Sequence, residues 1–177
     1  MNKKKMLFIR AIFVLLLLVA TFTAIFYFSS QEGITSNELS QQVIRKIIDF
    51  LGPTKDLSDA EKMELVYTWN PIIRKVAHFS IYTLVGIWGM ALMCTYNISN
   101  KKRWILSLEM GILYAALDEF HQSFVSSRTA SVIDVGIDTL GVITGILIVF
   151  IIVKIFHKIK KKGDNVEDNI EYNSKKE

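Results

Sequence analysis

Asp118, Glu119, His121, Gln122, Arg128, Asp134 and Asp138 fall within twenty-one positions, and six of the seven are ionisable. They sit at or beside the ends of two strongly apolar segments. A bilayer tolerates such side chains only where they face a bundle interior, a water-filled cavity or one another, so they mark a functional site by default. A second set lies upstream: Arg74, His78 and Tyr82 recur at i, i+4 and i+8 and stack on one helical face. Lys75 projects about 100° away from that face. Ser29-Ser30-Gln31 ends a third apolar run.

These residue types suit several chemistries. In the catalytic one, His121 or His78 is a general base oriented by Asp118 or Glu119, while Arg74 and Arg128 clamp a phosphate or carboxylate. Lys75, Tyr82, Gln122, Asp134, Asp138, Ser30 and Gln31 complete the candidate binding set. In a non-enzymatic alternative the same cluster recognises an anionic or zwitterionic headgroup. Two histidines plus carboxylates also suit zinc. No cofactor is implied by spacing, however, and His78 and His121 are only weak metal candidates, coming from different helices without an i, i+4 pair. The plain structural account is that Arg74, Lys75 and Arg128 neutralise the acids in buried ion pairs that fix helix packing. Against it, each charge at depth costs about 2.5–3.5 kcal/mol on insertion scales, and small apolar residues pack helices without that cost.

The elements that position these groups are membrane helices. The 177 residues leave room for one domain, and the 51% hydrophobic content is bunched into long runs. The net charge of +4 does not point to nucleic acid, because 14 of the 21 basic residues flank apolar runs and no face interleaves basic with aromatic residues. Cys94 is the only cysteine, which excludes an intrachain disulfide and a thiolate metal cluster.

The reading is an all-α membrane protein with four transmembrane helices and an extracytoplasmic amphipathic helical insert between the first and second. Residues 1–6 form a basic cytoplasmic N-terminus and 7–28 the first span, too long for a signal-peptide core. The insert covers 29–70. There Thr35-Ser36-Asn37-Glu38 and Ser58-Asp59-Ala60-Glu61 both have capping-box spacing. Leu39, Val43, Ile44, Ile47, Ile48 and Leu51 form an apolar stripe stopped by Gly52-Pro53. A shorter helix over 59–69 follows; the two helices either lie on the membrane surface or cap the bundle, and capping is the favoured reading. Asn70-Pro71 then predicts a fresh helix start, opening the second span over 71–96.

A basic cytoplasmic loop at 97–103 leads to the third span, 104–124, on which Asp118, His121 and Gln122 share a face and Glu119 is displaced. An outer turn at 125–130 precedes the fourth span, 131–156. Its Asp134 and Asp138 continue into Gly141 and Gly145, a pattern that permits close helix approach. Residues 157–177 are a basic, then disordered, cytoplasmic tail.

With both termini inside, nearly every unusual polar residue falls at the outer membrane boundary of a plasma-membrane protein. The motifs there carry a family resemblance. Arg74-Lys75-x-x-His78-Phe79-x-x-Tyr82-x-x-x-Gly86 resembles the second-helix motif of the VanZ-like membrane proteins. Asp118-Glu119-x-His121-Gln122-x-Phe124, then Arg128-Thr129 and Asp134-x-x-x-Asp138-Thr139-Leu140-Gly141, resembles their second signature, and Ser29-Ser30-Gln31 the polar end of their first helix. Ser126-Ser127 stands where Pro-Gly often precedes the arginine. The resemblance covers roughly residues 20–150. It implies a polytopic envelope protein that lowers sensitivity to glycopeptide antibiotics such as teicoplanin, and brings no established reaction. The partners it suggests are a membrane lipid, a lipid-linked envelope precursor or the glycopeptide itself, with no nucleic acid.

Overall fold

The computed structural model describes residues 2–50 and 57–174, with side chains described as far as Lys161. Every element among them is helical: α1 (Lys3–Ser29), α2 (Gly33–Phe50), α3 (Asp59–Thr95), α4 (Asn100–Gln122) and α5 (Val132–Ser174). Three are long and apolar enough to cross a membrane, over Lys4–Ser29, Asp59–Thr95 and Val132–Lys161. α4, expected as a fourth span, is not among them. It has the length, but Lys101, Lys102, Arg103, Glu109, Asp118 and Glu119 dilute its apolar content.

α3 and α5 form the central pair. A Cβ on Gly86 would strike the Val142 carbonyl, one on Gly141 the Phe79 carbonyl, and one on Gly145 the Thr83 carbonyl. The two backbones therefore touch, which only glycine allows here. The close approach foreseen from Gly141 and Gly145 is present, and Gly86 completes it from the other side. α4 packs onto this pair with Gly111 against the Val142 side chain and Ala115 fully buried. α1 buries only Leu18, Ile25 and Ser29, while Phe8, Phe13, Leu16 and Val19 face outward. A helix with that much bare apolar surface has lipid or protein as its natural surroundings.

α3 departs most from the expectation. Its start is the Ser58 capping box, with the Ser58 hydroxyl accepting from the Glu61 N–H and the Glu61 carboxylate accepting from the Ser58 N–H. From there it runs unbroken through Pro71, so the fresh start at Asn70-Pro71 does not occur. Proline in a helix interior removes a hydrogen bond and crowds the preceding turn. Bracing from α2 offsets this: Ile44 and Ile48 pack with Leu65 and Val66 before Pro71 and with Ile73 after it.

α2 itself begins at Gly33, ahead of the Thr35 capping spacing, because the Gly33 N–H donates to the Ser126 carbonyl and docks the helix on the α4–α5 loop. Its predicted stop at Gly52-Pro53 lies outside the described residues. α4 starts at Asn100 under a Ser99 cap, four residues before the start expected at 104 and inside the stretch expected as a loop. α5 continues to Ser174, across the tail expected to be disordered. Extending an existing helix adds one hydrogen bond per residue and avoids the costly nucleation step.

Candidate functional site

The polar residues converge where the C-terminal ends of α1 and α4 meet the N-terminal end of α5 and the middle of α3. Their cavity has a volume of ≈ 200 Å³. α3 lines it with Pro71, Arg74, Lys75 and His78, α4 with Glu119 and Gln122, and α5 with Asp134, Ile137 and Asp138; Ser127, Arg128 and Thr129 close it from the loop. Ser127 turns that loop with a φ of 61°, an uncommon left-handed conformation for serine.

Beside it lies an apolar cavity of ≈ 360 Å³, walled by α1, α2 and α3 through residues such as Ile25, Phe28, Leu39, Val43 and Ile81. Arg74, His78 and Arg128 line both cavities and form the boundary between them. Gln31 lines the apolar one. Ser30 lines neither, since its hydroxyl bonds back to the Phe26 carbonyl of its own helix at 2.7 Å.

Each acid has a different commitment. Glu119, expected to be displaced, is buried and accepts from the backbone N–H of Ser131, capping the start of α5. Asp134 pairs with Lys75 at 3.8 Å in the open part of the cavity, where such pairs contribute little. Asp118 accepts from Gln122 Nε2 at 3.0 Å, and that amide also donates to Ser29 Oγ at 3.1 Å, tying α4 to α1. Asp138 is 1% exposed and faces His78, whose Nδ1 is 3.5 Å from Oδ1. The fully buried Tyr82 hydroxyl faces Asp118.

The arginines are not consumed by these acids. Arg74 donates to the Asn37 side-chain oxygen at 3.0 Å, and Arg128 to the Phe28 carbonyl at 3.1 Å. Arg128 keeps Nε and Nη1 buried without a hydrogen-bond partner. Burial, then the neighbouring Arg74 guanidinium, lowers the Arg128 pKa, with Asp118 and Glu119 opposing. The guanidinium stays charged all the same. Among the described residues, then, the account in which Arg74, Lys75 and Arg128 neutralise the acids is realised only in Lys75–Asp134.

His121 stands apart from the cluster. Its ring packs on Phe26 of α1 with centroids 4.8 Å apart, and it lines neither cavity. Gln122 bonds Ser29 of α1 and Asp118 one turn back on α4, so these two residues take the inward face and His121 lies on the flank. His78 is the imidazole the cavity contains. Asn37 was not foreseen, since nothing local marks it as the partner of an arginine 37 positions on. Nor was the capping of α5 by Glu119, because the contact joins two elements across a loop.

The family model described as VanZ/LLP1 matches residues 12–154. The chain belongs to the VanZ/LLP1 family. That span takes in every residue of both cavities and both halves of the glycine contact between α3 and α5. No curated protein and no solved structure matches the chain. For this VanZ/LLP1 member the local geometry therefore has to carry the chemistry: two arginines bonded to neutral oxygens, an imidazole beside a buried carboxylate, and an apolar cavity opening from the same three residues.

Proposed function

We propose that this VanZ/LLP1 protein is a multi-pass protein of the bacterial plasma membrane that lowers sensitivity to glycopeptide antibiotics such as teicoplanin. It does so by holding the anionic head of an amphiphile in an outward-facing polar cavity. The occupant is a membrane lipid, a lipid-linked envelope precursor or the glycopeptide. One observation carries this reading: among the described residues, Arg74 and Arg128 make hydrogen bonds only to neutral oxygens, and they stand at the boundary of an apolar cavity. A phosphate or carboxylate would complete their unfilled donors, bidentately in the favourable case. The chain of the same molecule would lie against Ile25, Phe28, Leu39 and Val43. α4 supplies the fourth crossing, with Asp118, Glu119 and Gln122 turned inward and buried. The lysine-rich ends of α1 and α5 then lie in the cytoplasm.

The test is a strain lacking the gene, complemented with wild type, Arg74→Ala or Arg128→Ala and challenged with teicoplanin. Wild type should restore growth at several-fold higher drug, and each arginine variant should lose most of that protection at equal membrane abundance. Full protection by both variants would remove the basis of the reading. Sidedness is checked separately, with a cysteine at position 134 in a Cys94→Ser background. A membrane-impermeant maleimide should label it in intact cells.

One observation favours a second reading, an acid/base hydrolase or transferase on a lipid-linked envelope substrate. His78 lies beside buried Asp138, the arrangement in which a carboxylate orients a general base. Turnover of a labelled envelope lipid by the purified protein, abolished by His78→Ala, separates enzyme from binder.

A further inference from the structure

Asp138 is a buried carboxylate without a hydrogen bond among the described residues. Its side chain is 1% exposed and lines the cavity, yet neither carboxylate oxygen has a hydrogen-bond partner. His78 Nδ1 faces it at 3.5 Å, too far for a good hydrogen bond, and is itself without a partner. The Tyr82 hydroxyl, also fully buried, is unpartnered as well. Buried polar atoms are nearly always satisfied, and several unsatisfied ones aimed at a common point indicate something that binds there.

A donor set of defined chemistry surrounds that point. One ligand atom each from His78, Asp118 and Asp138 lies within 4.8 Å of the others. Bonds of 2.0–2.2 Å in a tetrahedral zinc site put ligand atoms roughly 3.3 Å apart, so small side-chain rotations close this triangle. The three come from α3, α4 and α5, so the site exists only in the assembled bundle.

We propose that His78, Asp118 and Asp138 bind a divalent transition-metal ion, Zn²⁺ by preference, at the floor of the polar cavity. One imidazole and two carboxylates leave a fourth position open, the pattern of a zinc site that takes water or substrate. The imidazole disfavours Mg²⁺ and Ca²⁺, which take oxygen ligands. Outer partners are in place too. Gln122, held by Ser29, fixes one oxygen of Asp118 and leaves the other to turn toward the ion, and such orientation is typical of built metal sites. The Tyr82 hydroxyl faces Asp118 and would hydrogen-bond a metal-held water. His121 takes no part. This site goes beyond amphiphile binding and is measured without any lipid.

The experiment uses the full chain purified in detergent, stripped with EDTA and titrated calorimetrically with Zn²⁺, then with Mg²⁺. One Zn²⁺ should bind per chain, at least about 100-fold more tightly than Mg²⁺. His78→Ala and Asp138→Asn should each weaken binding by about 100-fold, and Gln122→Ala by about 10-fold as an outer-shell residue. His121→Ala should bind as wild type does. X-ray absorption of the zinc-loaded wild type keeps the proposal testable should a variant fold poorly, and should report a single imidazole among oxygen ligands. Absence of stoichiometric Zn²⁺, equal affinity for Mg²⁺, unchanged binding in the His78 and Asp138 variants, or a ligand sphere without imidazole would each overturn the assignment.

Discussion

α3 and α5 meet twice, and the two meetings follow opposite rules. Around Gly86, Gly141 and Gly145 the backbones touch and no side chain separates them. One turn away, around His78 and Asp138, the same two helices line a cavity of ≈ 200 Å³ filled with polar groups of mixed commitment. Asp134, Asp138, Gly141 and Gly145 lie along one face of α5, so a single helical surface changes from charge to glycine. The glycine contact fixes the spacing and rotation of both helices, and the polar groups inherit their separations from it. Stability is concentrated in the first region, while the second keeps unsatisfied groups that function can use.

The strongest way to break this division is to fill the glycine contact. Gly145→Ala puts a methyl into the Thr83 carbonyl, and Gly86→Ala puts one into the Val142 carbonyl. Backbone cannot step aside as a side chain can, so each should cost about 3 kcal/mol, at the upper end for overpacking. Gly145→Leu should leave no folded protein. Gly136→Ala is the matched control on α5, because nothing lies near its added Cβ, and it should be neutral or slightly stabilising. Thermal unfolding in detergent reads all four. Equal melting temperatures for Gly145→Ala and Gly136→Ala would show that the helices are not locked there.

The polar region predicts a smaller effect of the opposite sign. An unpartnered buried carboxylate opposes folding, whereas a structural ion pair supports it. Asp138→Asn should therefore leave the metal-free protein at least as stable as wild type, with a gain of up to about 1–2 kcal/mol. The same melts in EDTA check this. A loss of that size would mean that Asp138 serves His78 as a packing partner, and the contrast with the glycine region would disappear.

How much of this was legible in the sequence follows the same line. The apolar runs of α1 and α5, the Ser58 capping box and the glycine approach are local patterns whose period or spacing states the geometry directly. Asn70-Pro71 was a local pattern too, but packing from α2 on both sides of the proline outweighed it. The choice between His78 and His121 was not legible. His121 sat beside Asp118 and Glu119 and His78 on a face with Arg74 and Tyr82, so both were candidate bases, and only the rotation of α4, with its Gln122 bond to Ser29 on another helix, leaves His121 out of the cavity. For the same reason Asn37 and Ile137 could not be named. Each reaches the site through tertiary placement, and neither carries a residue type or spacing that marks it beforehand.

α1 offers the finest test of where the bundle is held together. It reaches α4 at mid-helix through the Tyr114 hydroxyl, which donates to the Phe22 carbonyl at 2.7 Å while the two rings stack with centroids 3.9 Å apart. At its end it is held by Gln122 bonding Ser29 and Arg128 bonding the Phe28 carbonyl. Tyr114→Phe removes only the hydroxyl and keeps the stack. A helix carbonyl already serves its own helix, and interhelical bonds between membrane segments average about 0.6 kcal/mol, so the melting temperature should fall only slightly. Zinc binding and teicoplanin protection should not move. A loss well above that average, with weakened zinc binding, would mean that α1 is anchored at its middle and that the cavity depends on this bond. The small effect expected here instead leaves α1 fastened at the polar end, where the cavity's own hydrogen bonds hold the helix that walls it.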